Sequence, residues 1–468
     1  MVFSSIPFLF YYLPLLLLAY YCVPAHYRQT RNGLLTLASL AFYAWGEGIY
    51  LLVLIGSIIF NHFFAQILRT PSLNKLLIAI AFNLCLLGYF KYSGFLAEML
   101  GMQNWFTPVL PLGISFFTFQ AISYLIDVYR KEAQPADSLL SSALYISSFP
   151  QLIAGPIVRY KYVAEQIINR QETIAKFALG IQFFVIGLAQ KTLLANIVGE
   201  TADAAFNSPT DTLNTAGAWL GLFAYSLQIY FDFAGYSNMA IGLGFMLGFK
   251  FPQNFNTPYS AQSVTLFWRR WHMTLSEWFR DYLYIPLGGN KHGPWRTIFN
   301  LWVVFILCGF WHGAAITFIL WGAWHGLFLS IERLGFAKIL ERSWQPLRHV
   351  YLLLVIFLGW VLFRADSIQY ALDYYALLLN LDNNSISVIH FLDTNRILYF
   401  IAFAFLLSTS LPAQLFAFVK QQINEGALAS SFSQALNIIH IVTIISLLLL
   451  SIASLVGSSY NPFIYFRF

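Results

Sequence analysis

Charged side chains are scarce in this sequence. Of 468 residues, 26 are Lys or Arg and 20 are Asp or Glu, 10% together, against roughly a quarter in an ordinary soluble domain. So few charges cannot cover a water-facing surface, which excludes a soluble globular protein. Cysteine is sparse too. Cys22, Cys85 and Cys308 stand alone in apolar sequence without paired spacing, which excludes a disulfide framework and a cysteine metal site. No basic run suits nucleic acid, and the formal charge of +6 fits cytoplasmic loops of a membrane protein. The amino terminus has no basic region before its first apolar run and no small-residue cleavage pattern after it. The first segment is therefore expected to remain as a span and not to be removed as a signal peptide.

What the sequence has instead is hydrophobic length, with 59% of its residues apolar. A helix needs about 20 apolar residues to cross the hydrocarbon core. Phe8 to Val23, Leu34 to Phe60, Leu76 to Phe90 and Ile438 to Val456 are examples, and the length rule gives roughly ten to twelve candidates in all. Several are long enough for one tilted span or two short ones. The fold class expected is all-α and polytopic.

The charges that do occur are unevenly placed. Lys and Arg are absent from Thr192 through Phe249, where Glu200, Asp203 and Asp211 mark the polar interruption Glu200 to Gly217. Ala365 to Asn395 likewise carries Asp366, Asp373, Asp382 and Asp393 and no Lys or Arg. Both read as outer loops. Arg269, Arg270, Arg280, Lys291 and Arg296 crowd one segment, and Arg28 and Arg31 follow the first span. These read as cytoplasmic, with the amino terminus outside. The bland account is the positive-inside bias alone; the sharper one is an anionic ligand.

Phe267 to Tyr282, FWRRWHMTLSEWFRDY, reads as one amphipathic helix. At about 100° per residue, Arg269, His272, Ser276 and Arg280 share a quarter of its surface. Trp268, Trp271, Leu275, Trp278 and Tyr282 form an aromatic face suited to the membrane interface. An inert anchor helix would look similar. A histidine grouped with two arginines, followed by the breakers Pro286, Gly288 and Gly289, argues for more.

Three histidines directly follow tryptophan: His272, His312 and His325. The last two lie in a repeated G-x-W-H-G pentapeptide, Gly309 to Gly313 and Gly322 to Gly326. Glycines spaced by four let helices approach closely, so packing alone could explain the repeat, with histidines as satisfied core groups. An ionisable residue at membrane depth nevertheless suggests function. Leu301 to Ser330 contains no carboxylate and no HxxxH, so zinc is not expected. Desolvation favours a neutral imidazole, which can act as a general base. On one unbroken helix His312 and His325 would point about 140° apart, so a turn near Gly313 or Gly322 is needed before both could serve one site. One principal histidine is expected.

Several stretches resemble the bacterial membrane-bound O-acyltransferases, within them the alginate O-acetyltransferase branch. They are Pro111 to Arg130, Phe149 to Tyr160, Tyr230 to Phe249, Phe267 to Asn290, Gly309 to Leu329 and the ending FIYFRF, with the opening MVFSSIPFLF similar as well. The related teichoic acid D-alanyl transfer protein shares both tryptophan-histidine elements; Pro286 to Asn290 fits the alginate-type branch better. The resemblance implies one membrane-embedded domain over 1–468: amino-terminal helices over 1–260, a catalytic core over 261–333 and carboxy-terminal helices over 334–468. It implies a bowl of about eleven transmembrane helices, each long enough to cross the bilayer, around shorter tilted or re-entrant ones and a central tunnel. His312 carries the family's essential histidine, His272 lines the cytoplasmic approach, and His325 matches the second element as a supporting tunnel residue.

The chemistry implied is O-acetylation at the bacterial inner membrane with no permanently bound cofactor. Acetyl-CoA would dock its phosphates at Arg269 and Arg280, and its thioester would meet His312. The acceptor would be an extracytoplasmic polysaccharide, alginate first, with peptidoglycan or another exopolysaccharide as alternatives. A periplasmic SGNH-hydrolase-like acetyltransferase is the expected protein partner. A transporter or flippase is the alternative from another class, but matching inverted halves are not visible. A subunit without a site is disfavoured by the clustered histidines and arginines.

Overall fold

A computed structural model of the chain describes residues 2–102, 107–153, 155–380, 394–424 and 429–464. These are helical, with no β-strand among the described residues. Among the described residues, six stretches are long and apolar enough to cross a membrane: Arg28–Ile67, Leu73–Met99, Ile174–Phe206, Gly293–His312, Gln345–Arg364 and Gln434–Gly457. Shorter apolar helices run over Phe8–Cys22, Ile114–Tyr129 and Arg396–Ser408. Large apolar side chains such as Leu52, Phe63 and Leu449 point outward. So much outward apolar surface is stable only against lipid, and the protein is a multi-pass membrane protein. The apolar run Leu34 to Phe60 falls into two helices, Arg28–Glu47 and Leu51–Ile67, because Gly48 takes φ 52°, a backbone that favours glycine.

The centre is the Thr215–Met246 helix, buried along nearly its whole length. Glycines explain how closely it packs on the Ile174–Ala189 helix. A Cβ on Gly180 would lie 2.6 Å from Gly242 O, and one on Gly235 would lie 2.6 Å from Gly187 O. Two glycine pairs thus bring the backbones together without side chains between them, the usual way membrane helices associate. In the same interface Lys191 and Asp232 form an ion pair at 2.7 Å, with side chains 2% and 3% exposed.

The chain's two ends meet at this centre. Asn461 donates to Ser4 O at 2.8 Å, Ile464 N donates to Asp232 Oδ2 at 2.9 Å, and Lys191 donates to Pro462 O. Phe3 stacks on Tyr236 at 4.3 Å, and Phe463 packs on the same ring at 4.7 Å.

The segments read as outer loops are more ordered than their polarity implied. Asp203 lies in the Asn196–Phe206 helix and pairs with Arg364 at 3.0 Å. Ala365 to Asn395 begins with the Ile368–Leu379 helix, capped by Ser367 accepting from Tyr370 N. Residues 381–393, with Asp382 and Asp393, lie outside the described residues.

Candidate active site at the tip of a helical hairpin

Gly293–His312 and Ile316–Ile331 form a hairpin. Gly313, extended at φ −158°, ends the first arm, so the turn needed before both histidines could face one region occurs at Gly313. The glycines of the repeat also do the packing that they suggested. A Cβ on Gly309 would stand 2.2 Å from Phe318 O, and one on Gly322 would stand 2.2 Å from Phe305 O. The arms therefore touch backbone to backbone.

His312 is the last residue of the first arm and is 6% exposed. It lines a cavity of about 10 Å³ with Phe233, Trp271, Trp321, Trp360, Phe363 and Ile464, room for about one water molecule. Trp321 stands edge-on to His312 at 5.2 Å and to His325 at 5.0 Å. The indole separates the two imidazoles. His325 is fully buried, contacts Trp268 at 5.0 Å, and has no hydrogen-bond partner at either ring nitrogen.

The basic segment is not one helix. It runs as Val264–Trp268, a turn, Met273–Phe279 and a π-helical turn Arg280–Tyr284. His272 breaks it at φ 44°, and the shared face of Arg269, His272, Ser276 and Arg280 does not form. The cause lies outside the segment. Asn254 Oδ1 accepts from the Thr274 hydroxyl at 2.9 Å and from Thr274 N at 3.3 Å, capping the second helix. Those two donors identify that atom as the oxygen, so His272 Nδ1, 3.2 Å away, is the donor and Nε2 keeps its lone pair. His272 is fully buried, 6.4 Å from the Trp311 ring.

The break separates the two arginines. Arg269 lines a cavity of about 220 Å³ with Thr265, Ser276, Trp268, Phe305 and Cys308, and it forms no ion pair among the described residues. Cys308 lies four residues before His312, one helical turn away on the same face. Arg280 lies outside that lining, 56% exposed, with Nε 2.6 Å from Asp281 Oδ1. Burial opposes ionisation of Asp281, but bonds from Arg280 and Arg159 hold its carboxyl below its ordinary range.

The membrane-bound O-acyltransferase family model matches residues 130–372, a region that contains the hairpin, both cavities' histidine and arginine, and the broken basic segment. This chain belongs to that family. A "probable alginate O-acetylase" of Azotobacter vinelandii is 40% identical over the full length of both chains. One of Pseudomonas aeruginosa is 43% identical over 80% of this chain and 74% of its own. A peptidoglycan O-acetyltransferase of Helicobacter pylori is 35% identical over 83% of this chain and 81% of its own. The protein is an O-acyltransferase, and the transporter reading falls away.

Residues that the sequence reading passed over also shape this acyltransferase's site. Asn254 orients His272, and no local pattern announces a contact across 18 positions. Arg159, buried within the Phe149 to Tyr160 stretch, pairs with Glu277 at 2.8 Å and with Asp281, holding the broken segment from below. Lys91 was findable: a lysine beside the apolar run Leu76 to Phe90 is an ionisable group at the edge of a span.

Proposed function

We propose that this acyltransferase takes acetyl from cytoplasmic acetyl-CoA and delivers it across the inner membrane for O-acetylation of an extracytoplasmic polysaccharide, alginate. The observation that carries the reading is the pair of cavities beside the hairpin that hold Arg269 and His312; a third, of about 420 Å³, lies against Phe310 and Trp311 with a mostly apolar lining that includes Tyr92. The first has Arg269, without an ion pair among the described residues, at its wall and reaches Cys308, one turn before His312. The second encloses His312 in aromatic rings. We read the first as the donor's place and the second as the reacting chamber. At about 10 Å³ it holds about one water molecule, so the aromatic rings around His312 must part to admit even an acetyl group. The alginate assignment draws on the relatives so named, at 40% identity over whole chains.

In this mechanism the His312 imidazole accepts the proton of the attacking hydroxyl while that oxygen adds to the thioester carbonyl. The carbon–sulfur bond then breaks, and the proton passes to the departing thiolate, leaving an ester and CoA. The hydroxyl belongs to a periplasmic SGNH-hydrolase-like partner or to the sugar. Proton transfer of this kind contributes typically about 10²–10⁴-fold in rate. Arg269 binds donor phosphate; Arg280, already paired with Asp281, contributes less. His272 presents its Nε2 lone pair to the donor approach, and His325 backs the Trp321 wall. The whole chain, 1–468, is one domain with its catalytic core over 261–333. Its helices, about eleven long enough to cross, form a bowl around a central tunnel that joins the two membrane faces.

His312→Ala tests this. The variant should insert normally and leave the polysaccharide without acetyl esters, measured by mass spectrometry of secreted alginate. Acetylated alginate from that strain overturns the assignment. Ester content of isolated peptidoglycan, measured alongside, distinguishes the acceptors.

A further inference from the structure

The helix that carries His312 ends buried in the protein, so its last four carbonyls need donors from elsewhere. Each has one. Gly309 O accepts from Gly313 N at 3.3 Å. Phe310 O accepts from the Tyr92 hydroxyl at 2.9 Å. Trp311 O and His312 O both accept from Lys91 Nζ, at 2.5 and 3.1 Å. The third ammonium proton goes to Ser115 Oγ at 3.2 Å, so all three lysine donors are used. Lys91 forms no ion pair with a carboxylate among the described residues. Its charge faces the negative end of the helix dipole instead. Lys91 and Tyr92 are adjacent in a π-helical turn, Gly88–Tyr92, a local irregularity often found at functional sites.

We infer that Lys91 and Tyr92 are positioning residues that fix where the His312 helix stops, and through that the placement of its imidazole in the reacting chamber. The inference rests on His312 as the general base. Neither residue touches the cavity that His312 lines, so neither is assigned to the chemistry itself. A cap of this kind acts on geometry: moving a reacting group by about 1 Å can lower a rate by about 10²-fold. It leaves donor binding in the Arg269 cavity untouched.

The test uses inverted inner-membrane vesicles from the native host, assayed for CoA release from acetyl-CoA and normalised to folded protein by size-exclusion chromatography. Lys91→Met should lower kcat by about 10²-fold while KM for acetyl-CoA stays within twofold of wild type. Lys91→Arg, which keeps charge and donors, should recover most of the loss. Tyr92→Phe, which frees one carbonyl, should give a smaller fall in kcat, again without a change in KM. A lysine that merely ties two helices together would lower the amount of folded protein and leave kcat per folded molecule alone; that result overturns the inference. Should Lys91→Met not fold, Lys91→Gln and Tyr92→Phe decide, and wild-type kcat in both overturns it. His312→Ala run in parallel separates the two claims. If it releases CoA like wild type, the base assignment fails; if it is inert while the Lys91 and Tyr92 variants keep wild-type kcat, only the positioning inference fails.

Discussion

Removing both partners of the buried Lys191–Asp232 pair should cost far less than the sum of removing each alone. At 2.7 Å the gross attraction is about 6 kcal/mol for an effective dielectric constant near 20. Desolvation of several kcal/mol per ion offsets most of it. Lys191→Met alone leaves a nearly inaccessible carboxylate, and Asp232→Leu alone leaves an ammonium; each should cost about 3–5 kcal/mol. The double variant has no stranded charge. It does lose the acceptor for Ile464 N and the donor to Pro462 O, each worth about 1–3 kcal/mol as a buried unsatisfied group. It should therefore be at least as stable as the weaker single variant, far from the additive loss. Activity should not follow stability, because Ile464 stands in the wall of the His312 cavity and loses its anchor on Asp232 in Asp232→Leu and in the double variant, though not in Lys191→Met. Stability is read from the temperature at which detergent-purified protein loses its monodisperse peak, and activity from CoA release. Additive losses, or a double variant with full activity, would refute the reasoning.

Other expectations follow from the same geometry. Gly322→Ala places a methyl 2.2 Å from Phe305 O, a backbone atom that cannot yield alone. The arms must part, at a cost of about 1–3 kcal/mol, and the heat stability of the purified variant should fall accordingly. Arg269→Ala should raise KM for acetyl-CoA about tenfold, in line with a lost charge-assisted hydrogen bond of about 1.5–3 kcal/mol, whereas Arg280→Ala should stay within twofold; equal effects would disprove the division between them. Glu172 accepts from Arg28 Nη2 at 3.1 Å and from the Tyr20 hydroxyl at 2.5 Å. Burial pushes its pKa up, but these partners and Arg170 hold it down to about 2. A lowered folded-state pKa means stability that is complete above the ordinary carboxylate range near about 4.3 and lost as pH falls toward 2. Glu172→Gln should melt earlier at pH 7 and show a flatter stability profile between pH 5 and 3.

The hairpin was legible because its signals are local. The glycines of the repeat dictate close approach, and two histidines on opposite sides of one helix demand a turn. The same local logic failed at Phe267 to Tyr282. Its periodicity is helical, yet Asn254 caps a new helix at Thr274 and forces His272 to φ 44°. A tertiary contact outweighed the pattern, and with it went the single cationic face. Lys91 escaped notice for a related reason. It could be seen as a charge beside a span, but the carbonyls it serves lie more than 200 positions later, and spacing carries no trace of them. Asp203 read as a loop residue because acidic sequence without lysine suggests an outer loop; its partner Arg364 sits at the end of a distant helix.

The meeting of the chain's two ends beside the central helix has a consequence for how the enzyme comes into being. Domains and helices form in order as the ribosome delivers them, so the hairpin with its histidine is in the membrane well before Pro462 and Ile464 emerge. Until those residues reach Lys191 and Asp232, the ion pair lacks two of its partners and the chamber lacks one wall. The histidine of the hairpin is thus walled in by a residue that the ribosome delivers long after it, and the cavity takes its shape only once both are in the membrane.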